Sequence, residues 1–86
     1  MHELGIATGV LDSVVEVAKK NDCLRVKKID LVVGKKAAII DEMFKEAFNA
    51  LKELDEYSLC KDAIIKTKLD EGKDVYVEQI EVDQKD

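Results

Sequence analysis

Arg25-Val26-Lys27-Lys28-Ile29-Asp30-Leu31-Val32-Val33-Gly34 is the stretch on which the fold turns. Its apolar positions are mostly β-branched and the run stops at a glycine, which predicts a strand over residues 25–33 in the interior of a sheet. Upstream, Leu4, Ala7, Leu11, Val14, Val15 and Ala18 recur at three- and four-residue steps, so residues 4–20 read as an amphipathic helix with one face inward. Lys19 and Lys20 suit its carbonyl end and Asn21-Asp22 its stop. Val14, Val15 and Val17 lower its intrinsic propensity, and Gly5 and Gly9 loosen its first turns, so it depends on tertiary contacts.

Downstream of Gly34, Asp41 is placed to cap a second helix on which Met43, Phe44, Ala47, Phe48 and Leu51 follow helical spacing. Phe44 and Phe48, the only phenylalanines, stand one turn apart and anchor the core. An acidic connection over residues 53–58 leads to a second strand at 63–69. Asp70-Glu71-Gly72-Lys73 then turns the chain, with Gly72 in the left-handed conformation of a short hairpin, so that residues 75–82 return antiparallel to 63–69. Val75 and Val77 share one parity and Ile80 and Val82 the other, which predicts a bulge near Glu78-Gln79 or a strand covered on both faces. The order is α-β-α-β-β. With a right-handed crossover through residues 25–69, this makes a two-layer α/β sandwich, two helices on one face of a three-stranded mixed sheet. The other face, with Lys66, Lys68 and Glu78, is left partly open.

The 86 residues amount to one domain with no repeat or linker, and 47% hydrophobic content supplies a single core. Fourteen Lys and Arg stand against nineteen Asp and Glu, a net charge of −5 with basic residues only in short pairs, which argues against nucleic acid as a partner. No apolar run reaches the length of a bilayer span and the start lacks the regions of a signal peptide, so a membrane partner is not expected and a cytoplasmic setting is. Cys23 and Cys60 form no CxxC pair and read as small apolar side chains.

His2 is the one histidine of the chain. A terminal amine on Met1, the His2 backbone nitrogen and the His2 ring can close small chelate rings around one ion, and a planar, nitrogen-rich set favours Ni(II) or Cu(II) over Zn(II) or Mg(II). Bulky His2 disfavours removal of Met1. Protonation of the amine and the ring would release the ion in acid.

Met1-His2-Glu3-Leu4, the strand ending in Gly34, Phe44 with Ala47-Phe48, Leu59-Cys60-Lys61-Asp62-Ala63 and Ile80-Glu81-Val82 together resemble the HypA family. These are nickel metallochaperones that assist maturation of nickel-iron hydrogenase and, in some organisms, urease. The resemblance implies Ni(II) held by His2, with Met1 and Glu3 contributing, and Glu3 also in docking to a GTPase of the HypB type. The hydrogenase large subunit is the other implied partner. Two departures stand out. The family's zinc module, built on two CxxC pairs between the last two strands, is reduced here to the turn at 70–73, so no zinc is expected. Where some members bring an acidic ligand to the nickel, this chain has Ile40, with Asp41 adjacent as a weaker substitute. Two functions follow from the resemblance: an accessory nickel carrier working by ligand exchange, or a degenerate interaction or scaffold module that keeps a docking surface without metal transfer. An enzyme is not expected, since no nucleophile has an evident base beside it and no glycine-rich phosphate loop is present. The last strand, at a sheet edge, leaves a homodimer open.

Overall fold

The computed structural model describes residues 3–85. Helix α1 (Glu3–Lys20) is followed by strand β1 (Cys23–Gly34), helix α2 (Asp41–Leu51), β2 (Ile64–Asp70) and β3 (Val75–Gln84). Short 3₁₀ turns at Lys35–Ala37 and Asp55–Cys60 flank α2. β1 is the centre of the sheet, whose order is β2-β1-β3. It pairs parallel with β2, Ile29 opposite Ile65 and Leu31 opposite Thr67, and antiparallel with β3, Ile29 opposite Ile80 and Val26 opposite Val82. The expected two-layer sandwich is the observed one.

Helical spacing brings Ala7, Leu11, Val14, Val15 and Ala18 of α1 onto the sheet, where they meet Val26, Ile29, Leu31 and Val33. Phe44 and Phe48 of α2 close the core with ring centroids 4.7 Å apart, both fully buried. Leu4, expected on the inward face, is instead 58% exposed, and the buried stripe of α1 begins at Glu3 and Ala7. The Tyr57 hydroxyl donates to Asp12 Oδ1 at 2.6 Å and ties the second 3₁₀ turn to α1. Cys60 is buried and Cys23 half-buried, and both are free thiols.

The connection between the last two strands differs from the expected hairpin. β2 and β3 do not pair, because the link at 71–74 carries the chain over the end of β1. Gly34 makes room for that crossing: a Cβ there would stand 2.3 Å from the Gly72 carbonyl oxygen. The Gly34 N–H donates to Asp74 O at 2.8 Å and the Lys36 N–H to Gly72 O at 3.0 Å, which clamps the link in place. Gly72 itself is not left-handed. Its N–H is turned to Asp70 Oδ1 at 2.9 Å, and the left-handed positions are Asp22 (φ 53°), just past α1, and Ala38 (φ 56°), just before α2. The bulge read from the slipped alternation is present: Asp30 faces Gln79 but Leu31 faces Val77, leaving Glu78 unmatched.

On the face away from the helices, Val32 is 1% exposed although no helix covers it. It lies between Lys68 and Tyr76 in the register, and Lys68 Nζ reaches Glu78 Oε2 at 2.9 Å from the strand on the other side of β1. Lys28, Asp30, Gln79 and Glu81 continue this charged cover. The alkyl stems of long side chains thus shield an apolar residue while their charges stay in water.

Candidate metal centre

The residues called for the metal fall in two places. Met1 and His2 lie outside the described residues. Glu3 opens α1 and is 4% exposed, the one buried charged residue among the described residues. Its Oε2 accepts a hydrogen bond at 3.0 Å from the N–H of Ile40, 37 positions away in the chain. Ile40 is the N-cap residue of α2, with extended backbone at φ −90°, ψ 112° and no side chain of its own to cap the helix. The amino ends of α1 and α2 therefore meet at this carboxylate. Each helix start presents unpaired N–H groups and the positive end of its dipole, which is the environment in which a buried carboxylate costs least.

The segment that delivers Ile40 is built by backbone geometry. The 3₁₀ turn Lys35–Ala37 ends at left-handed Ala38, a conformation unfavourable for a residue with a Cβ, and this reversal sends Ile39 and Ile40 back toward α1. Alanine at 38 carries no turn signal, so this reversal is not legible in the residue types.

Asp41 does not cap α2. It is the first helical residue, its side chain 60% exposed, and Oδ2 meets Lys45 Nζ at 3.0 Å one turn later. With Glu42 it places negative charge in the first turn, where the helix dipole favours it. The capping expectation failed because helix entry came one residue earlier, at Ile40. Glu3 and the segment before α2 are brought together, while Asp41 is turned to Lys45 on the surface.

Among the described residues no group of three or more His, Cys, Asp or Glu side chains is assembled that could hold a metal ion. Cys60 is a poor ligand: burial pushes its thiol up to about 11, against the opposing pull of Lys52, and at neutral pH it stays protonated. No helix of the described residues is long and apolar enough to cross a membrane.

The fold and this carboxylate-tied helix junction define a small two-layer α/β domain whose first helix is fastened at its start to the start of the second. The chain belongs to the HypA family: a family model described as "Hydrogenase/urease nickel incorporation, metallochaperone, hypA" matches residues 1–68. A "Hydrogenase maturation factor HypA" of Methanococcus vannielii is 36% identical over 74 residues, 80% of this chain and 57% of the relative. A "Hydrogenase/urease maturation factor HypA" of Helicobacter pylori is 29% identical over 86 residues, all of this chain and 65% of the relative. The chain thus spans about three-fifths of the length of these curated relatives. The solution structure of the Ni metallochaperone HypA from Helicobacter pylori superposes with a TM-score of 0.79 at 20% identity, covering 99% of this chain and all of that one. At that identity the likeness speaks for the fold.

Proposed function

We propose that this chain is a nickel carrier of the HypA kind, holding Ni(II) at its amino terminus and passing it on by ligand exchange during maturation of nickel-iron hydrogenase or urease. It performs no catalysis on this reading, and a cytoplasmic setting belongs to the same proposal. The observation that carries it is the Glu3–Ile40 hydrogen bond within a region, residues 1–68, that matches the family from its first residue. The bond fixes the first turn of α1, directly after Met1 and His2 in the sequence.

Met1 and His2 supply nitrogen donors in this proposal, and Glu3 acts chiefly by positioning them. Asp41, paired with Lys45, is the weakest candidate. Handover to a GTPase of the HypB type or to a hydrogenase large subunit is supported by the apolar side chains exposed at this end: Leu4 at 58%, Ile40 at 57% and Met43 at 50%. Large apolar groups left in water around a site mark a surface that partners cover.

A calorimetric Ni(II) titration on protein with an untagged Met1, beside His2→Ala, tests the proposal. One equivalent is expected to bind the parent and to be lost in the variant. Absence of binding to the parent would overturn the carrier and leave the interaction module, whose partner binding would be indifferent to Ni(II).

A further inference from the structure

Both outer strands of the sheet are edges, and they are unlike. β3 carries the bulge at Glu78, and each of its acids is matched within the sheet: Glu78 with Lys68 at 2.9 Å, Glu81 with Lys28 at 3.6 Å, Asp83 with Arg25 and with Lys27. A bulge interrupts an edge. β2 has none, and of its lysines Lys68 is paired with Glu78 while Lys66 meets no carboxylate among the described residues. Seven consecutive residues, from Ile64 to Asp70, run in unbroken register with β1, and the outer row of backbone N–H and C=O groups has no strand beside it.

Cations gather around this edge on both faces, in a chain whose net charge is −5. On the helix face a cleft of about 320 Å³ separates β2 from α2, with Lys45, Asn49 and Lys52 on the helix side and Asp62, Ile64 and Ile65 on the strand side. Lys52 Nζ donates to the Ala63 carbonyl at 2.8 Å and meets no carboxylate among the described residues. On the open face Lys66 is exposed and likewise unmatched, and Lys61 stands exposed at the entry to the strand. Ile64 and Leu69, 59% and 66% exposed, give the edge an apolar component.

We propose that β2 is the acceptor edge for an extended acidic segment of a partner protein, added as a fourth strand beside it. Main-chain hydrogen bonds supply the attachment, and carboxylates on the added strand meet Lys66 on one face and Lys52 on the other. A second copy pairing through its own β2 is disfavoured by the same charges. Antiparallel pairing centred on Thr67 sets Lys66 against Lys68 twice, and pairing centred on Lys66 sets that residue against itself. The acidic β3 of another copy is the remaining self-derived occupant. This inference does not depend on nickel binding.

The test titrates the full chain, followed by backbone amide NMR, with three probes: a seven-residue peptide alternating valine and glutamate, its lysine counterpart, and the glutamate peptide N-methylated at alternate backbone nitrogens in either phase. The glutamate peptide is expected to shift and protect β2 amides, to weaken with salt, and to lose affinity about fivefold against Lys66→Glu, a surface change that leaves the free spectrum intact. At least one N-methylated phase is expected not to bind. No binding of the glutamate peptide, equal binding of the lysine peptide, indifference to both methylation phases, or shifts confined to β3 would each overturn the proposal. So would native mass rising with concentration in the peptide-free protein with β2 and β3 amides protected together, which would assign the edge to a second copy.

Discussion

Glu3 is an enclosed carboxylate, 4% exposed, to which the backbone of a distant segment supplies a donor. Taking a charge out of water is expensive, and the Ile40 N–H with two helix amino ends recovers part of that cost. Glu3→Ala should therefore destabilise the domain by about 1–2 kcal/mol by leaving the Ile40 N–H without its acceptor, whereas Glu3→Gln, which keeps an oxygen there, should cost less. Urea unfolding of the three proteins checks this, and identical midpoints would show that the bond contributes nothing. At this scale the sequence was a partial guide. Glu3 stood out beside His2, but its partner is a backbone amide 37 residues on, and a backbone amide carries no residue signature. Asp41 looked like a cap because Asp before an apolar helical run usually is one. Its salt bridge to Lys45 at 3.0 Å shows how one residue of shift changes the role.

At the scale of elements, strand and helix locations were legible because apolar periodicity and β-branched runs are local properties. Strand partners were not. The four residues between β2 and β3 suit a hairpin by length, yet here they bridge across β1, with two hydrogen bonds from Gly34 and Lys36 holding them. The glycine that matters sits at the end of β1 and not in the link. Gly34→Ala is expected to lower stability by about 1–3 kcal/mol, the range of an overpacked site, since its Cβ would meet the Gly72 backbone, which cannot yield as a side chain would. Gly72→Ala, with its nearest neighbour an Asp70 carboxylate oxygen at 3.2 Å and no positive φ, should be milder. Thermal unfolding of the two variants side by side distinguishes them, and a larger loss at Gly72 would contradict the clamp.

At the scale of the whole molecule, one buried hydroxyl links the second 3₁₀ turn to α1 and gives stability a dependence on alkaline pH. The hydrogen bond to Asp12, helped by burial, pushes the Tyr57 phenol from 10.0 up to about 12. The folded state thus holds the proton more tightly than the unfolded chain. The resulting stabilisation is complete below about pH 10 and is lost as pH rises through about 12. Tyr57→Phe is expected to remove this part of the alkaline slope in denaturation midpoints, and an unchanged slope would assign it elsewhere. Taken together, the sequence by itself determined the element order, the α/β class, the phenylalanine pair and the family, because all of these rest on local periodicity or on short motifs. Only the tertiary structure decided that β1 lies between β2 and β3, that Glu3 fastens the start of α1 to Ile40, and that the slipped alternation of β3 is a bulge while β2 is an edge without one. Those three depend on which segments close over one another in space, and chain proximity does not encode that.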